Sequence, residues 1–416
     1  MKQDPPAGVP GPVPADGGPT DEELRPQTIR WSELPGEPFR LFFPLGLLAG
    51  VFAVILWPLF LYGLWPLFPG PTHGRMMIMS FFGAFVVGFL GTAAPRILEV
   101  RPLGWPETAA LLGVYLAGSV AYAGGWLAFG DGAFLVFFAG FATMLARRFP
   151  RRSDLPPPSF ALVVCGFAHF PVGLLFLLGG SGWGAGIPWS RLGMGFVAEG
   201  ALLCMIAGVG AFFFPRLLGY PPRQRFPGGP TPDAEWVRGA MAPFLIGALV
   251  FASFWIEYMT HEATGIALRY VSVSAYLLRM VPLWKKPEQP GFLTFSLKVA
   301  LASVPLGGIA MILFPAFRTA GLHAVLLTGI GLITWIVATR VIFGHAGLGA
   351  RLKGPVKFLG IVLALSVASL VLRFLADVHP EAYAFYLGKA AFLWVAAAAV
   401  WAFHTVPLAF RPDTDP

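Results

Sequence analysis

From residue 41 onward the chain is a succession of long runs that carry almost no charge. A run of about 20 apolar residues crosses a hydrocarbon core of roughly 30 Å when it is helical. A helix also pairs its own backbone groups, which lipid cannot do for it. The runs fall at about 41–64, 76–95, 107–129, 131–147, 159–179, 192–214, 239–258, 263–283, 292–314, 321–344, 356–376 and 384–408. They predict an all-α fold, a polytopic transmembrane helix bundle of about twelve transmembrane helices. Only 12% of the 416 residues are charged, about half the share with which a globular domain builds its polar shell. A soluble enzyme is excluded on that ground.

The flanks have a different character. Residues 1–40 are rich in Pro, Gly and acidic side chains with little to bury, which predicts a disordered cytoplasmic tail. The tail lacks the basic start and apolar core of a signal peptide, so the first apolar run is expected to be retained. Residues 41–408 then form the membrane domain, and 409–416 a short second tail. Cys165 and Cys204 both lie inside apolar runs and read as buried thiols.

Twelve spans place alternate loops on opposite sides, and the basic residues follow that division. Of 29 Lys and Arg, 20 fall on one side, and three (Arg75, Arg191 and Arg318) on the other. The remaining six lie within the runs. A missing or surplus helix would mix the two sets from that point onward. The positive-inside rule makes the basic side cytoplasmic, with both termini on it and the protein in the inner membrane. The net charge of +8 therefore reflects loops at a lipid surface and gives no reason to invoke nucleic acid.

This topology assigns each histidine a depth. His73 precedes the second helix and His323 opens the tenth, both on the outer side. His261 and His379 sit in outer loops, and His169 lies near the middle of the fifth helix. His345 and His404 lie toward the cytoplasmic ends of the tenth and twelfth helices. Imidazoles from separate helices can converge on one metal or haem, as they do in bundle cofactor sites. They can equally make ordinary hydrogen bonds between helices, and no pair has the HxxxH spacing of a helical metal site. Among ionisable residues inside the runs, Glu199 and Arg269 are the deepest, and each requires a partner there. A proton-relay role for Glu199 and a plain ion pair between the two are both open. Arg279, Lys298 and Arg340 can reach a nearby interface with their long side chains. The chain has no phosphate loop, no CxxCH haem attachment and no HExxH.

Several stretches together resemble the NnrS family of membrane proteins. FRLFFPLGLLAGVFAVILW (39–57) is similar to the family's opening helix, and THGRMMIMSFFGAFVVGFLGTAAPRI (72–97) to its HAHEMLFGF segment. The most specific block is HAVLLTGIGLITWIVATRVIFGHAGLGARL (323–352), which resembles a His-initiated helix ending in Arg and a GHTGRPL turn. CGFAHFPVGLL (165–175), GVGAFFFPRLLG (208–219) and AAFLWVAAAAVWAFHTVPLAFRP (390–412) match further elements. The resemblance implies a haem- and copper-containing membrane protein concerned with nitric oxide and nitrosative stress. It places family histidines at His73, His169, His323 and His345, and the family arginine at Arg340. His73, His169 and His323 become the first cofactor candidates, with His345, His261 and His379 as further metal candidates. The chain departs from the pattern where Arg75 replaces the second histidine of HAH and Met76 the glutamate.

Two other functions suit the same residues. A secondary transporter would use Glu199, Arg269 and Lys389 as coupling groups, although no repeat relates the two halves of the sequence. A factor that handles metal for another enzyme would need only the histidines. The sequence names no catalytic residue, and the expected partners are the lipid bilayer and a small diatomic ligand such as nitric oxide.

Overall fold

Long apolar stretches punctuated by Gly and Pro give helices that stop at caps and never pair edge to edge. The computed structural model describes residues 29–183 and 186–413, so most of the expected N-terminal tail (1–28) and the last three residues lie outside it. Among the described residues there are twelve long helices and no strand. They are α1 Phe39–Leu61, α2 Gly70–Ile97, α3 Trp105–Ala123, α4 Leu127–Arg151, α5 Phe160–Gly179 and α6 Trp189–Leu217. The remainder are α7 Ala234–Met259, α8 Glu262–Met280, α9 Phe292–Leu313, α10 Pro315–His345, α11 Lys357–Val378 and α12 Pro380–Ala409. Ten are long and apolar enough to cross a membrane. The exceptions, α3 and α8, each pack along a neighbour, α4 and α7 respectively.

Helices α2, α6 and α10 form the centre. Their central stretches are 78%, 83% and 67% buried, against 44% or less for the other seven spans. Each contains a π-helical stretch, at Met76–Phe82, Phe196–Gly200 and Ala324–Gly331. Each ends in a left-handed residue, Glu99, Gly219 and Gly347. At all three ends an amide bonds back across the last turn: Val100 to Pro95 O, Tyr220 to Pro215 O and Leu348 to Phe343 O. This is the Schellman closure, which satisfies carbonyls that the helix leaves unpaired. The π stretch begins the same number of residues before the left-handed cap in all three helices.

That register reveals three successive four-helix units, α1–α4, α5–α8 and α9–α12. In each unit the first helix packs on the second, and the third and fourth form a hairpin. The units close a ring, with α4 on α5, α8 on α9 and α12 on α1. The first and second helices of a unit cross at small residues. A Cβ on Gly193 would lie 2.7 Å from Gly173 O, and one on Gly321 3.0 Å from Gly307 O. Such close backbone approach is how helices pack in lipid, where apolar burial supplies no drive. The corresponding position of the first unit holds His73, and its Nδ1 donates to Ala53 O at 3.0 Å.

Candidate functional site

Successive central helices and the three helices between them enclose an arc. The arc formed by α10, α11, α12, α1 and α2 surrounds a cavity of about 550 Å³. Its walls are largely aromatic and aliphatic, including Trp57, Phe81, Trp335, Leu387 and Trp394, with Arg373 and Asp377 also on the lining. Those two make a 2.6 Å ion pair one turn apart on α11. His73 and His323 both line this space. Each ring is fixed by its Nδ1, His73 to Ala53 O and His323 to Thr319 O at 2.7 Å. A carbonyl acceptor places the proton on Nδ1 and leaves Nε2 with a lone pair, the state a metal-ligating imidazole needs. Neither Nε2 has a hydrogen-bond partner among the described residues.

The other sequence candidates lie elsewhere. His169 is buried on α5, its Nδ1 2.7 Å from Cys165 O and its Nε2 unpartnered. Gly200 presses on that ring so closely that a Cβ there would lie 2.3 Å from His169 Cδ2, and His169 is not on the lining of the His73–His323 cavity. His261 caps α8 by accepting from the Thr264 amide, and His379 sits beside Glu381 at the exposed start of α12. His345 closes the far end of α10 from His323. Its Nδ1 lies 2.9 Å from Glu37 and 3.0 Å from Asp413. These three residues present ligand atoms within 4.8 Å of one another, near enough for one cation. Arg40 and Arg96 already hold Glu37, and Arg96 also holds Asp413, so the carboxylates have counter-charge without a metal.

Glu199 and Arg269 meet at 3.0 Å in the neighbouring arc, which runs from α6 through α7, α8 and α9 to α10. Arg269 also pairs with Glu257 at 2.7 Å and lies over the Phe254 ring at 4.2 Å. Tyr270 donates to Glu199 at 2.7 Å, and Arg318 pairs with both Glu257 and Glu262. A buried charge is tolerable when paired and hydrogen-bonded, and this cluster meets that requirement fully. Arg75, which replaces the family histidine, forms a two-pronged ion pair with Asp131 and does not line the cavity. Tyr122 donates to the same carboxylate at 2.8 Å.

Sequence reasoning missed Trp57, Trp335, Trp394 and Arg373 as site residues. An apolar run containing tryptophan gives no sign of which face the ring takes. The arrangement defines a polytopic α-helical membrane protein with a partly open, imidazole-bearing, mostly apolar cavity near one end of the bundle. The chain belongs to the NnrS family, described as NnrS protein, whose profile matches residues 34–412. No curated protein matches the chain.

Proposed function

We propose that this protein holds a haem in the His73–His323 cavity and acts in nitric oxide metabolism or nitrosative stress tolerance from the inner membrane. The observation that carries the reading is the pairing of two Nδ1-tethered imidazoles from α2 and α10 on the lining of one 550 Å³ cavity. That volume suits an organic cofactor, since ligand sites commonly enclose about 300–1,000 Å³ with apolar walls and a few placed polar groups. A lone copper ion needs donors about 2 Å from it and no such space. Arg373, whose Nη1 is held by Asp377, could still turn its remaining guanidinium nitrogens to an acidic group on the cofactor, and the tryptophans offer flat apolar faces. A haem held by His73 and His323 would supply one-electron redox chemistry and an iron able to bind diatomic ligands. The basic end of the bundle faces the cytoplasm in this reading, which puts the cavity toward the outer surface.

The test is a pyridine haemochrome spectrum with iron and copper analysis on protein purified in mild detergent. The reading expects haem close to one per chain and iron in proportion. Protein without haem would remove it, and stoichiometric copper alone would transfer the two histidines to a copper site. A transporter is supported less well, because the deep charges Glu199 and Arg269 are paired with each other and are not on the lining of the His73–His323 cavity.

A further inference from the structure

The central helices converge again at the basic end of the bundle, and each brings an arginine there. Arg96 on α2, Arg216 on α6 and Arg340 on α10 line one recess of about 370 Å³. Its inner wall is apolar, with Phe89, Phe213 and Val337 facing the space. His345 and Asp413 complete the lining.

Charge within the recess is unevenly matched. Arg96 is held by Glu37 at 2.7 Å and Asp413 at 2.8 Å, and Arg40 takes up Glu37 from the other side. Arg216 lies over the Phe212 ring at 3.9 Å and forms no ion pair among the described residues. Arg340 forms none among them either. Both side chains are exposed. Two guanidinium groups thus share a concave apolar-walled site with a third and have no carboxylate of their own. Like charges gathered in this way repel unless an anion joins them.

We propose that this recess is a binding site for a phosphate oxyanion, clamped between Arg216 and Arg340. The planar guanidinium fork matches phosphate oxygens two at a time, which a lysine cannot do. The same chemistry comes from an anionic phospholipid headgroup at the membrane surface or from a soluble phosphate compound. Basic pockets between transmembrane helices take lipid headgroups in this manner. The recess lies at the opposite end of α10 from His323, so the proposal stands apart from the haem reading and can fail without it.

The experiment uses full-length protein in neutral detergent and measures binding of dioleoyl phosphatidylglycerol by native mass spectrometry and of inorganic phosphate by thermal shift. Arg216→Gln/Arg340→Gln is compared with Arg223→Gln/Arg225→Gln, which removes two arginines from the adjoining loop outside the recess. The proposal expects the first pair to weaken binding by roughly thirtyfold, at about 1 kcal/mol per arginine, and the second to leave it near wild type. Arg340→Lys, which keeps the charge and loses the fork, falls between. Lipid retained while phosphate is silent identifies the headgroup, and protection by phosphate alone identifies a soluble ligand. The proposal is overturned if neither probe binds wild type, or if both double variants lose binding equally. Elution volume on gel filtration checks that each variant is folded before it is scored.

Discussion

Two arcs of this bundle follow one plan and are filled in opposite ways. The arc from α6 to α10 is packed with the Glu199–Arg269–Glu257 cluster, whereas the arc from α10 to α2 encloses the His73–His323 cavity. Counted from the first α-helical residue of each hairpin's second helix, Glu262 and Tyr383, Arg269 and Tyr270 correspond to Ala390 and Ala391. Counted back from the left-handed caps, Glu199 corresponds to Leu327. Ala390, Ala391 and Leu327 all line the cavity. Thus where one arc places a guanidinium and a phenol the other places two methyl groups, and the volume left over is the site. A repeated scaffold gives equivalent spaces, and side-chain size decides which of them stays open.

The sharpest way to break this comparison is to empty the filled arc. Arg269→Ala leaves Glu199 buried without its cation and Glu257 with Arg318 alone, and should destabilise the protein by about 3–5 kcal/mol. Thermal unfolding in detergent would register this as a large loss, and an unchanged midpoint would mean the cluster is solvated. Filling the open arc is the converse. Ala391→Tyr puts a ring where Tyr270 stands in the second unit, and should displace haem at a packing cost of about 1–3 kcal/mol. A variant that still carries a full complement of haem would place the cofactor elsewhere. Tyr270→Phe removes one hydrogen bond to a charged carboxylate, worth about 1.5–3 kcal/mol, and should lower the unfolding midpoint without changing haem content.

A smaller effect should come from the crossing points that both arcs share. Gly321→Ala would bring a methyl group to 3.0 Å from Gly307 O and force α9 and α10 apart. Because α10 carries His323, the expected outcome is a modest drop in midpoint with a shift in the haem absorption. Gly193→Ala strains the equivalent crossing of α5 and α6, which carries no cavity histidine, and should change the midpoint alone. Equal spectra for the two variants would separate the crossing from the site.

Much of the fold was legible because lipid imposes a one-dimensional rule. Run length and the sorting of Lys and Arg predicted about twelve transmembrane helices, and among the described residues twelve long helices are found. Ten of them are apolar enough to cross a membrane, and α8, which carries Arg269 and Arg279, is one of the two that are not. Charge sorting gives a residue's depth but not its direction around a helix. That is why His261 and His379 had the depth of His73 and His323 but lie outside the cavity, in a cap and an exposed turn. The unit repeat was hidden for a related reason. Its markers are backbone features, π stretches and left-handed caps, and the cap residue is Glu99 in one unit and glycine in the others. A search between halves also looks for the wrong period when the repeat is in thirds. Gly200 against His169 could not be foreseen, because it depends on how α5 and α6 meet.

The central claim is that one arc of the ring, and only that arc, carries the cofactor. It is tested most directly by the haem-to-protein ratio and absorption spectrum of four variants: His73→Ala, His323→Ala, His169→Ala and His404→Ala. The ring of His404 is exposed and stacked on Phe358, away from the cavity lining. The first two variants should lose haem or change its axial ligation, while the last two keep the wild-type spectrum. Retention of an unaltered spectrum by both His73→Ala and His323→Ala, or its loss in His169→Ala alone, would contradict the account.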